Sequence, residues 1–408
     1  MKILFVGFYD PSAGSPTTAR IHDFAQVLKR KKIEVFVLSP KKLWNRKRRW
    51  VETYDGIYVL RFPVVSTRKP PILGGIVNII SAFCGFLLLY ALRKPEITIS
   101  TLPAGEPPLG VYIASKLIGK PVIFDVRDLW EDYESRKAKS LATLWYTILK
   151  KTYNMVYNEG LFCVAVTPQI VNHLVERGIK RVYLLPHCVD TSLFKPRDKT
   201  QTRKALGLNQ TDFIVVYAGF LRDYYRIDIV VRSCHKLVFE KGVKNLKLFI
   251  VGSGPQVGEY IRTAKELRLS DNVFFVGLKP REKVAEFLGC SDVGVIPYDD
   301  NPLWVYPLPT KFYEYCSCGL PVIASVLEEA ILARYIKKWK VGLLVKPLSV
   351  DQMSQAIEFL YHHEEKAHEM GANGRKLALA HFDREKITSD FSKLFVTASC
   401  EQEVERAR

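Results

Sequence analysis

Pro307-Leu308-Pro309-Thr310-Lys311-Phe312-Tyr313-Glu314-Tyr315-Cys316-Ser317-Cys318-Gly319-Leu320-Pro321-Val322-Ile323-Ala324-Ser325 compresses a loop, a helix and a strand into one run. Prolines close the loop, the residues from Thr310 suit a short helix, Gly319 ends it, and a β-branched strand opens at Pro321. The same alternation extends in both directions. Towards the N-terminus, strands are expected at Phe213–Ala218, Leu246–Val251, Val273–Val276 and Val293–Ile296, and towards the C-terminus at Gly342–Val345. An earlier series covers Lys2–Gly7, Glu34–Ser39, Ile97–Ser100, Val122–Val126, Phe162–Val166 and Val182–Leu185. Short strands alternating with helical patterns give an α/β fold. Two sets of about six imply two doubly wound, Rossmann-like parallel-sheet domains facing a cleft, with ligands at the C-terminal strand ends.

The proline-bounded run Leu185–Pro196 reads as the linker. The expected division is 1–186, 187–375, and a C-terminal helix over 376–408 that crosses back to the first domain. A length of 408 residues suits two or three domains, and 48% hydrophobic with 25% charged residues excludes a disordered or fibrous chain. Eight cysteines, with only Cys316 and Cys318 closely spaced, supply neither a disulfide framework nor zinc-site spacing. The short apolar start at Met1 reads as a buried strand rather than an export signal, so a cytoplasmic protein with reduced thiols is expected.

Charge is distributed unevenly. Residues 1–200 carry net +15 of the total +18. Residues 29–49 hold ten basic side chains against Glu34 alone, with Trp44 and Trp50 interleaved. Basic residues beside an anionic leaflet and Trp at headgroup depth favour a membrane surface; a solvated loop is the plainer alternative. Nucleic acid is not expected, because RNP-type and zinc-finger patterns are absent. Residues 72–92 contain no charge and are flanked by Arg68-Lys69 and Arg93-Lys94. Three readings stay open for them: a buried or half-buried crossover helix, a helix in the membrane interface, or a span.

Three groups of residues suggest chemistry. Gly252-Ser253-Gly254-Pro255 and Gly219 each follow a strand, where glycine permits close approach of a phosphate. Arg222 and Arg226 follow Gly219 and suit a diphosphate. Lys311 and Glu314 share one helical face, so they form either a surface ion pair or a cleft-facing pair in which Glu314 accepts ribose hydroxyls and Lys311 meets phosphate.

Taken together, the Pro-x-Lys-x-x-Glu-Tyr core from Pro309, Phe124-Asp125-Val126-Arg127-Asp128-Leu129-Trp130-Glu131, Thr167-Pro168, the linker, Val251-Gly252-x-Gly254-Pro255, Asp292-Val293 with Pro297, and Gly371-x-Asn373-Gly374-Arg375…Phe382 make the chain familiar. It resembles retaining GT-B glycosyltransferases of the large family four (group 1), most closely the fucosaminyltransferase-like branch that builds surface polysaccharides and lipid-linked glycans. The resemblance implies a metal-independent hexosyltransferase-type enzyme that uses a nucleotide-sugar co-substrate, UDP among the candidates, and no other cofactor. Glu314, Lys311, Gly219, Arg222, Arg226, Gly252, Gly254 and Tyr306 would line the donor side. Gly14, Ser15 and Arg20 would shape the acceptor side, and Asp128 with Arg127 would be the catalytic pair. The implied partners are a lipid-linked or glycan acceptor and an anionic membrane surface met through the N-terminal domain, at the inner face of the cell membrane. No Asp-x-Asp motif is present, in keeping with metal independence.

The departures from the family are specific. Tyr306 stands where a first glutamate is usual, Gly219-Phe220…Tyr225-Arg226 replaces a Gly-Arg…Lys-Gly clamp, and His187-Cys188 replaces Asn-Gly. A hydrolysing nucleotide-sugar 2-epimerase shares the architecture, and a non-catalytic membrane- or RNA-binding protein on a decayed transferase fold is the remaining alternative.

Overall fold

The computed structural model describes residues 1–11, 16–43, 48–65, 71–102, 105–129, 132 and 141–394. Gly14, Ser15, Trp44, Arg46, Lys47, Arg68, Lys69, Trp130 and Glu131, singled out above, lie outside the described residues. The chain forms two compact units. One runs through Pro186 and resumes at Glu385; the other spans His187–Arg384.

In the first unit, β1 (Lys2–Val6), β2 (Glu34–Lys42), β3 (Val51–Tyr54), β4 (Ile57–Val64), β5 (Ile97–Leu102), β6 (Val122–Val126), β7 (Phe162–Ala165) and β8 (Val182–Leu184) form one sheet. The order is β3-β4-β2-β1-β5-β6-β7-β8, parallel except for β3. Its helices are α1 (Pro16–Arg30), α2 (Pro71–Arg93), α3 (Pro107–Leu117), α4 (Leu141–Glu159) and α5 (Pro168–Glu176). Alternate side chains of each strand serve opposite faces. Leu4 and Val6 pack with Ala82 and Phe86 of α2 and Val111 of α3, whereas Phe5 stacks on Phe24 of α1 at 6.4 Å. The returning C-terminal segment covers that second face: Phe391 lies 5.3 Å from Phe24, and Glu385 pairs with Arg30.

In the second unit, β9 (Phe213–Ala218), β10 (Leu246–Val251), β11 (Val273–Gly277), β12 (Val293–Pro297), β13 (Val322–Ser325) and β14 (Gly342–Val345) are all parallel, in the order β11-β10-β9-β12-β13-β14. Its helices are α6 (Lys199–Ala205), α7 (Ile227–His235), α8 (Val257–Glu266), α9 (Arg281–Cys290), α10 (Thr310–Ser317), α11 (Ile331–Trp339), α12 (Val350–His362) and α13 (Glu364–His381). The strand order reverses between β9 and β12, which is where such sheets open a ligand crevice at their C-terminal edge.

Three readings from sequence require correction. The second unit extends to Arg384 rather than 375. Arg375 donates to the carbonyls of Thr191, Phe194 and Ser317, and Arg384 pairs with Asp190 at 2.7 Å, so α13 belongs to this unit and the return begins at Glu385. The strands β3 and β4 were not expected. The described part of the basic stretch is not a single patch, because Lys29–Lys32 lie before β2, whereas Lys41 and Lys42 end it and Arg48 and Arg49 follow, about 30 Å away at the rise of an extended strand. Several of these charges are already engaged: Arg48 with Asp10, Arg30 with Glu385, and Lys41 over the Trp50 ring at 3.9 Å.

Candidate donor site

The C-terminal edge of the second sheet is built by close backbone approach. Gly219 follows β9 with φ +144°, and Gly252 follows β10 with φ +150°. A Cβ on Gly252 would lie 1.9 Å from the Gly219 carbonyl oxygen, and one on Gly254 would lie 2.1 Å from that of Leu221. No side chain fits there, so the two turns interlock only as glycines. The Gly219 N–H donates to Val251 O and the Gly252 N–H to Gly277 O, each at 2.9 Å. Those amides are therefore spent internally, and the glycines contribute space rather than donors.

Helix α10 delivers Lys311 and Glu314 to the same edge. It is held from both sides: the Ala218 N–H donates to the Tyr315 hydroxyl at 2.9 Å, and Phe312, Tyr313, Tyr315 and Cys316 are all buried. Lys311 is only 4% exposed. Its Nζ donates to the Tyr217 hydroxyl at 3.3 Å and sits 4.5 Å from the Tyr217 ring centroid and 3.5 Å from that of Tyr225. Gly219 leaves room for it, since a Cβ there would come within 3.0 Å of the lysine Cε.

Sequence alone left a surface ion pair with Glu314 possible. The structure forms none, and no described carboxylate lies within ion-pair distance of Nζ. Burial drives the lysine pKa well below its ordinary value, only partly opposed by the charge of half-buried Glu314. Lysine at a helix N-terminus also opposes the helix dipole. The cation is thus desolvated, placed at a positive pole and, among the described residues, met only by ring faces and one hydroxyl. An incoming anion would relieve all three costs at once.

An aromatic wall surrounds this lysine, and sequence reasoning did not assemble it. Tyr225 stacks on Tyr298 at 4.9 Å, Tyr224 lies 4.6 Å from Trp304, and Tyr298 stacks on Trp304 at 5.1 Å. Tyr306 ends the 3₁₀ turn Pro302–Val305 and is half-buried. Arg226 is held by Asp228 through two hydrogen bonds of 2.9 and 2.7 Å, so its charge is largely committed. Arg222 is exposed, with its guanidinium 5.3 Å from the Phe220 ring. Asp292 serves the fold, accepting from the Ile214 N–H and pairing with Lys199 and Arg203. A cavity of about 450 Å³, lined by Arg197, Asn245, Asp292 and Tyr361 among others, opens at the opposite, N-terminal edge of the strands and is separate from this site.

In the first unit, Arg20 does not present itself to an acceptor. It is 2% exposed, clasps Asp125 at 2.8 and 2.9 Å, and donates to the carbonyls of Leu185 and Pro186. Arg127 is buried and donates to Thr17 Oγ1 at 2.7 Å, whereas its neighbour Asp128 stands at the surface just beyond β6. Among the described residues, no group of three or more His, Cys, Asp or Glu side chains could hold a metal ion.

Comparison with known proteins places this architecture. Each unit's doubly wound sheet is as found in proteins of the GT-B fold: sucrose-phosphate synthase from Thermosynechococcus elongatus superposes with a TM-score of 0.77 at 20% identity, covering 98% of this chain and 99% of that one. Anabaena HepE in complex with UDP and glucose superposes at 0.71 and 16%, covering 97% and 100%. Residues 198–377, within the second unit, match the family model for glycosyl transferases group 1. Among curated relatives, N-acetyl-alpha-D-glucosaminyl L-malate synthase of Bacillus anthracis is 26% identical over 234 residues, which is 57% of this chain. The chain spans 58% of that relative's length, and 37% and 46% of two D-inositol 3-phosphate glycosyltransferases.

Proposed function

We propose that this protein transfers a glycosyl group from a UDP-sugar to a lipid-linked or glycan acceptor at the inner face of the cell membrane. The anomeric configuration is retained and no metal is required. The observation that carries this reading is the buried Lys311, paired with no described carboxylate, beside the interlocked turns of Gly219 and Gly252 on a segment that matches the group 1 model. The UDP complexes of Anabaena HepE supply the analogy for the nucleotide.

In this reading the glycosyl–oxygen bond to the diphosphate breaks as the acceptor oxygen bonds to the anomeric carbon, and the acceptor hydroxyl's proton passes to the departing phosphate oxygen. Negative charge collects on the departing UDP, and a cation already fixed in a water-poor site stabilises it without reorganisation. Lys311 is that cation. Glu314 accepts the ribose hydroxyls, Arg222 adds a solvent-side charge, and Tyr306 closes the site where the family usually places glutamate. Asp128 orients the acceptor hydroxyl, and Arg127, tied to Thr17, positions it.

The test is nucleotide release from a panel of UDP-, GDP- and ADP-sugars, with and without lipid extract, in the presence of EDTA. Acceptor-dependent release from one UDP-sugar, with coupling constants showing a retained anomer, supports the proposal. Release without acceptor points instead to the hydrolysing epimerase, and no release or binding across the panel points to a non-catalytic protein.

A further inference from the structure

Among the described residues, α2 is the one helix long and apolar enough to cross a membrane. It does not span one, because its inner face is part of the fold: Ala82, Phe86 and Leu89 lie in the core against the sheet. Its polar side chains also point inward. Asn78 holds both the N–H and the carbonyl of Val65, at 2.8 and 3.2 Å, and Ser81 Oγ donates to Pro63 O at 2.6 Å.

The opposite face is left bare. Leu73, Ile76, Ile80, Cys84, Leu88 and Leu92 recur every three or four residues and are all exposed, Leu73 to 61% and Ile80 to 56%. They form one stripe of five turns, about 28 Å long at the rise of an α-helix. The neighbouring helices α3 and α4 add exposed Leu117 and Ile148; α4 packs on α2 through Trp145, which fills the space above Gly75. Soluble surfaces rarely leave such a continuous patch uncovered. The stripe contains no acidic residue, and its sequence flanks are Arg68-Lys69 and Arg93-Lys94, of which Arg93 and Lys94 are exposed.

We infer that this stripe lies flat in an anionic lipid surface, with the apolar row at the level of the upper acyl chains and the exposed Arg93 and Lys94 among the headgroups. Apolar burial and headgroup attraction act together in such helices. A second copy of the chain is disfavoured as the occupant, since self-pairing along the stripe would bring its basic ends against each other. The inference deepens the reading of a lipid-linked acceptor by naming the surface that brings the enzyme to it.

The test uses the full chain with vesicles of phosphatidylcholine alone or with one quarter phosphatidylglycerol. Wild type is expected to sediment with the anionic vesicles, less so at high salt. Ile80→Glu with Leu88→Glu is expected to lower the bound fraction at least tenfold while leaving UDP affinity and helix content unchanged. A bimane on Cys84, with Cys188→Ser and Cys400→Ser as controls against labelling elsewhere, is expected to shift its emission to the blue on anionic vesicles. Unchanged vesicle binding in the double variant, no shift at Cys84, or no binding by wild type overturns the inference. So does a wild-type dimer that the same substitutions dissolve while vesicles remain unbound. Vesicle binding without UDP binding would instead overturn the proposed function and leave this surface standing.

Discussion

Arg20 and Lys311 are both cations buried to within a few per cent of complete, one in each unit, and they are buried differently. Arg20 has a carboxylate and two carbonyls on its guanidinium. Lys311 has a hydroxyl and two ring faces. The first arrangement satisfies a charge and holds β6 and the end of the unit together. The second leaves a charge wanting an anion. Burial alone therefore does not identify a functional cation; what faces it does.

Several outcomes would break or sharpen this contrast. Arg20→Met strands Asp125 and should cost about 3–5 kcal/mol of stability, read by denaturant melts. UDP affinity at the remaining folded protein should be unchanged, and a loss of binding without destabilisation would reverse the assignment. Lys311→Met should do the opposite. Removing charge-assisted contacts worth about 2–4 kcal/mol should weaken UDP binding by about 30- to 1000-fold. The melting temperature should hold or rise, since a desolvated charge is gone.

Gly252→Ala should destabilise the protein by more than about 1 kcal/mol and disorder the donor turn, because its Cβ meets the Gly219 carbonyl. Crystallography of that variant would show the two turns parted. Arg222→Ala, at an exposed residue, should change UDP affinity only about threefold, an effect that added salt should erase.

The lysine also gives the contrast a pH signature. Its depressed pKa in the folded protein means that the unfolded chain binds the extra proton between the folded value and the ordinary 10.5. Stability from this group is fully present above 10.5 and is lost as pH falls through the folded pKa. Lys311→Met should therefore flatten the alkaline rise of stability relative to wild type, as pH-dependent melts would show.

The fold was legible where strands are buried on both faces. Runs such as Val293–Pro297 and Phe213–Ala218 are continuous and apolar because helices cover both sides of a parallel sheet. The hairpin β3–β4 was missed because β3 is an exposed edge strand with a weak pattern; the Asp55-Gly56 pair between two such runs is the signal that marks it. At the site, Lys311 and the glycine turns were readable because each is a local motif. The aromatic wall was not, since Tyr217 on β9 and Tyr225 after it meet Tyr298 and Trp304, which follow β12, only once the strand order places β9 beside β12. The Arg20–Asp125 clasp joins residues 105 positions apart, and helix or strand periodicity carries no trace of it. Consecutive lysines and arginines misled in the other direction, because β2 separates what sequence had pooled.

Lys311, as the seat of the donor diphosphate, is the residue on which the proposed transfer turns. Titration calorimetry of UDP with wild type and Lys311→Met, in paired buffers of different ionisation enthalpy between pH 7 and 10, addresses that directly. Wild type should bind UDP with proton uptake that grows towards the alkaline end of that range, as the anion raises the depressed lysine pKa, and the variant should lose both the affinity and the uptake. Equal affinity in the two proteins, with no proton linkage in either, would contradict it.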